Sequence, residues 1–118
     1  MLDIHEMIRL QRSLQERYKG EWESVDPAHG LNKLMWMIGE VGEVSQILKR
    51  KGACGVMESS EVRSAFMEEM ADVLMFYSDV LLCFDIDPDE FEMIYRAKNH
   101  RNMTRWKPAP DAEQPEQV

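Results

Sequence analysis

Two pairs of acids stand out in this chain: Glu40 with Glu43, and Glu69 with Asp72, each pair three residues apart. On a helix that spacing places both members on neighbouring positions of one face, where like charges repel. Plotted at about 100° per residue, Glu40 falls among Trp36, Met37, Val44 and Ile47, with a second apolar stripe of Leu34, Ile38, Val41 and Leu48 to one side. Glu69 lies between Val62, Phe76 and Val80. These acids therefore face an apolar interior, and ionised carboxylates there need a positive partner or a proton. A divalent cation meets the need. Two i,i+3 pairs on adjacent helices offer the hard oxygen donors that Mg²⁺ prefers and leave positions for water and phosphate oxygens. The competing reading places the four acids in ordinary ion pairs with Lys33, Lys49 or arginines of another subunit. Asp79, one heptad after Asp72, either joins the cluster, pairs with a basic residue or faces solvent. A di-iron bundle needs Glu-x-x-His on two helices, and His5, His29 and His100 provide none.

A second set of groups suits phosphate. From Arg96 to Lys107 there are five Lys/Arg and no acid, whereas residues 58 to 92 hold eleven acids and one base, Arg63. Basic residues at a helix end also suit the macrodipole, which is reason enough for a solvated terminus. Lys98, Asn102 and Arg105, however, are spaced four and three apart, on a stripe that runs back to Ile94 and Phe91, both expected to face the core. Arg105 can grip phosphate oxygens bidentately, Lys98 acts as a point charge, and Asn102 donates or accepts. Opposite a metal–carboxylate cluster they form a site for a triphosphate. The chain has no Gly-rich phosphate loop, so cation and side chains must hold the phosphates.

The elements that carry these groups read as all-helical, because apolar residues recur at three- and four-residue intervals between Pro and Gly punctuation. The pattern predicts helices over about residues 3–19, 28–51 and 60–84, with a loop around Gly52 to Gly55. A fourth opens at Asp87-Pro88-Asp89-Glu90, where Asp87 caps and Pro88 suits the first helical position. Gly39 and Gly42, inside the second helix, each cost about 0.8–1.0 kcal/mol relative to alanine, which close approach of another backbone or a ligand would explain. Residues 1–106 form one expected domain, and residues 107–118 read as a disordered, Pro-containing acidic tail.

A chain of 118 residues has room for one domain, and its 14 Lys+Arg against 22 Asp+Glu give a net charge of −8, which argues against a nucleic-acid partner. No apolar run reaches the roughly 18 residues of a membrane span, and the N-terminus does not read as a signal peptide, so the expected compartment is the cytoplasm. Cys54 and Cys83 have no metal-site spacing and read as buried or idle thiols.

The fragments Gly39-Glu40-Val41-Gly42-Glu43-Val44, Glu68-Glu69-Met70-Ala71-Asp72-Val73-Leu74 and Lys98-x-x-x-Asn102-x-x-Arg105-Trp106 resemble the MazG-like all-α nucleoside triphosphate pyrophosphohydrolases, especially their dCTPase-like members and the dimeric dUTPases. The resemblance spans about residues 3 to 106. It implies a four-helix bundle subunit, assembled as a homodimer or homotetramer. It further implies hydrolysis of a nucleoside triphosphate to monophosphate and pyrophosphate, with Glu40, Glu43, Glu69 and Asp72 holding Mg²⁺, or Mn²⁺ in its place. Glu43 or Glu69 would activate the water. Lys98, Asn102 and Arg105 would hold phosphates, while Trp22, His29, Asn32 and Trp36 occupy the region where dCTPase-like members contact the base. The alternative for the tryptophans is core or subunit packing. One departure is Gly39, where many members carry a further glutamate, which leaves one or two ions open. The expected role is clearance of unwanted nucleotides or control of a deoxynucleotide pool. The alternative function is a catalytically inactive helical protein that binds nucleotide or metal and signals through a partner.

Overall fold

A computed structural model of the chain describes residues 1–105, and the tail expected to be disordered, together with Trp106, lies outside the described residues. The described residues are helical, in two compact units that divide between Ile86 and Asp87.

In the first unit, α1 spans Ile4–Arg17. Asp3 starts it by accepting from the Glu6 amide at 2.9 Å, a side-chain cap for one of the first-turn N–H groups that a helix leaves open. The chain leaves α1 through Gly20, at φ 89°, and a 3-10 turn over Pro27–His29 leads into the next helix. Asp26 caps that turn by accepting from the His29 amide at 3.1 Å.

Helix α2 spans Gly30–Glu58 and α3 spans Ser60–Cys83. The loop expected at Gly52 to Gly55 is instead a break of one residue. Gly52 alone is non-helical, at φ 68° and ψ 175°, and the helix resumes beyond it. That backbone conformation is open essentially to glycine only, so one residue redirects the axis without a loop. Ser59, in an extended conformation, ends α2 and starts α3, its Oγ accepting from the Val62 amide at 3.3 Å.

Helices α2 and α3 form an antiparallel hairpin, and α1 packs against α3. At the open end of the hairpin the Phe84 ring lies over Gly30, where a Cβ would come within 2.5 Å of the ring. The apolar core is small: Ile8, Val44, Val56, Leu82 and Cys83. Four polar residues are buried with it, namely Gln11, Lys33, Ser78 and Asp79. Gly39 and Gly42 meet no atom within 4 Å of an added Cβ, so nothing among the described residues requires glycine there.

The second unit holds α4, Pro88–Arg105. Asp87 caps it as expected, with Oδ1 accepting from the Asp89 amide at 2.8 Å. Of the two anchors expected to be buried, Phe91 is half-buried but Ile94 is 62% exposed. The apolar residues of α4 are spread around the helix rather than gathered in one stripe, which leaves it no single dry face. No helix among the described residues is long and apolar enough to cross a membrane.

Candidate metal centre

The hairpin register brings the two acid motifs together. Glu40 of α2 and Glu69 and Asp72 of α3 each place a carboxylate oxygen within 4.8 Å of the other two, and all three side chains are half-buried. Each lies on its helix where an apolar stripe meets the seam, so the packing that forms the hairpin also forces the acids together. The Glu40 carboxyl is pushed above its ordinary range, first by desolvation, then by a hydrogen bond shared with Glu69, and then by the charges of Asp72, Glu69 and Glu43. Two carboxyl groups in hydrogen-bond contact need a shared proton or a cation between them. Three convergent carboxylate oxygens are a hard donor set, suited to Mg²⁺, Ca²⁺ or Mn²⁺ and poorly suited to soft metals.

Glu43 does not join the trio. It is exposed one turn further along α2, although its charge still reaches Glu40. Asp79 is also outside the cluster. It is buried, and its Oδ1 accepts from Gln11 at 2.9 Å and from Gln15 at 3.0 Å.

One helical turn from the acids, Trp36 of α2 stacks near Phe76 of α3, with ring centroids 6.3 Å apart and planes inclined by 13°. Trp36 is 61% exposed, so one side of this pair is open. Flat aromatic surfaces of this kind take up a nucleobase with little regard to its identity.

The other residues expected at the base lie elsewhere. Counted along α2 at 1.5 Å per residue, Asn32 stands about 12 Å from Glu40, and His29 lies further off, in the 3-10 turn before α2. His29 Nδ1 is 2.6 Å from Asp26 Oδ1, and this hydrogen bond, followed by that from Ser24, holds the Asp26 carboxyl below its usual range. Asn32 donates to Glu23 at 3.3 Å. Trp22 stacks on Tyr18 with centroids 4.4 Å apart, closing the end of α1. In the second unit, Lys98 and Arg105 are exposed on α4 and Asn102 is half-buried.

Sequence reasoning missed Phe76 as the partner of Trp36, and Gln11, Gln15 and Lys33 as the surroundings of Asp79. The register that pairs Glu40 with Asp72 also pairs Trp36 with Phe76 and Lys33 with Asp79 one and two turns on, so it carried the signal. Compared with known protein families, curated proteins and solved structures, the chain matches none.

Proposed function

We propose that this chain is a Mg²⁺-dependent nucleoside triphosphate pyrophosphohydrolase of the MazG-like, all-α kind, which converts a (deoxy)nucleoside triphosphate to the monophosphate and pyrophosphate. The supporting observation is the convergence of Glu40, Glu69 and Asp72 across the hairpin. A bound Mg²⁺ or Mn²⁺ supplies charge neutralisation of the phosphates and a lowered pKa for water. Glu40, Glu69 and Asp72 would hold the ion. Of the two candidate bases, Glu43 is favoured over Glu69. It is exposed and outside the trio, free to orient and deprotonate the attacking water, whereas Glu69 is engaged by Glu40. Trp36, backed by Phe76, gives the base a stacking surface. Lys98, Asn102 and Arg105 are the groups whose chemistry suits the phosphates, as the resemblance implies.

The working form in this proposal is a homodimer or homotetramer. On α2, Leu31, Leu34, Ile38, Val41 and Leu48 follow a three-four spacing with Ser45 in register, and all five apolar members are between 37% and 67% exposed. That is the pattern of a helix seam without its partner, and a second copy of α2 fits it. The proposed role is clearance of unwanted nucleotides in the cytoplasm.

The test is pyrophosphate release from a panel of ordinary, deoxy and modified triphosphates with Mg²⁺, Mn²⁺ or EDTA. Monophosphate and pyrophosphate as products, abolished by EDTA and by Asp72→Ala, support the proposal. Nucleotide binding without turnover across the panel overturns it in favour of a regulatory, catalytically inactive protein.

A further inference from the structure

Among the described residues, the most deeply buried acid has no part in the centre proposed above. Asp79 is 2% exposed, in the middle of α3. Two side chains of α1 donate to the same oxygen of its carboxylate, Gln11 at 2.9 Å and Gln15 at 3.0 Å, one turn apart along that helix. Lys33 of α2, 6% exposed, faces the same group with its charge. Three helices thus meet at one carboxylate. The apolar anchoring of α1 is thin by comparison, since Ile8 and Gln11 are its two buried residues.

We propose that Asp79, with Gln11, Gln15 and Lys33, is a pH-responsive latch that sets how firmly α1 is held against the α2–α3 hairpin. The groups facing Asp79 are few. Helix α1 offers two neutral amides, α2 offers Lys33, and α3 offers Cys83 one turn on, a thiol kept protonated by burial. Asp26, from the loop before the 3-10 turn, acts on Cys83. An open cavity of about 370 Å³ between α1, this loop and the end of α3 has Gln15 and Cys83 in its wall. Solvent therefore comes within one side chain of the carboxylate.

The sign follows from which effect is larger. Desolvation raises the Asp79 pKa above the ordinary 3.8 and outweighs the lowering by Gln11, Gln15 and Lys33. When α1 lifts away, the carboxylate regains water and its ordinary affinity for protons. The docked state thus binds the proton more tightly. Docking is firmest in acid and weakens as pH rises from the ordinary to the raised value, above which it is level. A protonated Asp79 can still accept from both amides through its carbonyl oxygen, so the acid form keeps α1 in place.

Hydrogen exchange of the full chain, followed from about pH 4 to about pH 7.5 and corrected for intrinsic chemistry, tests the latch. The expected result is that protection of α1 amides, relative to those of the α2–α3 seam, falls with rising pH. The fall is about tenfold for each unit separating the docked and undocked pKa values. Asp79→Asn, which keeps an acceptor but no titration, levels the profile. Asp79→Asn combined with Lys33→Met removes both charges, and α1 stays docked across the range. Relative protection that is flat or rises with pH in the parent chain overturns the latch. So does a slope that persists in either variant.

Discussion

Trp36 and Phe76 stack one helical turn from Glu40 and Asp72, so an exposed aromatic face and a convergent acid cluster share the same seam of one hairpin. In the proposed function this arrangement would take the flat base and the charged tail of one nucleotide. It ties the site to a continuous stretch of α2 and α3 rather than to loops, and rigid elements hold such groups more closely than loops do.

Removing an acid should separate stability from activity. Asp72→Asn relieves repulsion with Glu40, so thermal unfolding in EDTA should show a gain of about 0.5 kcal/mol. Pyrophosphate release by the same variant should fall by more than about a hundredfold, since loss even of outer-shell support costs 10–100-fold. A variant that is less stable in EDTA would mean that Asp72 makes a net favourable contact in the metal-free fold, contrary to the repulsion argued from its neighbours.

The pH dependence of metal-free stability should carry the signature of Glu40. Its pKa in the fold is raised above the ordinary 4.5, so the folded state binds this proton more tightly than the unfolded chain. The contribution of Glu40 is present in acid and is lost as pH rises from about 4.5 through the raised value. Urea titrations of the parent chain and of Glu40→Gln should differ in slope across that window and run parallel above it. Added Mg²⁺ should restore stability in the parent at neutral pH and not in the variant.

Trp36→Ala should weaken substrate binding by about 1–3 kcal/mol, the usual worth of stacking a base on an aromatic ring. The loss should appear in KM, with kcat retained, and Trp36→Phe should recover most of it. Because Trp36 is 61% exposed, its truncation should leave the melting temperature nearly unchanged. A loss confined to kcat would place the base elsewhere.

Gly52→Ala should destabilise the chain by about 1–3 kcal/mol, because φ 68° with ψ 175° is a backbone state that a Cβ opposes. Chemical denaturation reads this directly. Gly39→Ala should do the reverse, gaining about 0.8–1.0 kcal/mol in a helix interior where the added methyl meets nothing within 4 Å among the described residues.

Assembly is testable through the α2 stripe. Ile38→Glu, at a side chain 52% exposed in the subunit, should change subunit stability by no more than about 0.5 kcal/mol and shift sedimentation from oligomer to monomer. Gly42→Ala, beside Ile38, should stabilise the isolated helix yet weaken association if the partner backbone passes close to it. A parent chain that sediments as a monomer at every concentration would remove the proposed seam.

The amino-acid sequence alone determined the local matters. Apolar residues at three- and four-residue intervals demanded helices, and Asp87 marked the start of the fourth as a side-chain acceptor for an otherwise open amide. The i,i+3 spacing placed Glu40 with Glu43 and Glu69 with Asp72 on helix faces, because helical geometry is the same in any protein. Tertiary structure decided which faces meet. The register of α2 on α3 brought Glu40 to Glu69 and Asp72 while leaving Glu43 exposed and Asp79 outside the cluster. The packing of α1 on α3 buried Asp79 beneath two glutamines some sixty-four and sixty-eight residues away in the chain, a pairing that no periodicity announces. The physical reason is that periodicity gives the direction of a side chain about its own axis, whereas which carboxylates repel and which are dry depends on distances across the seam, set by packing.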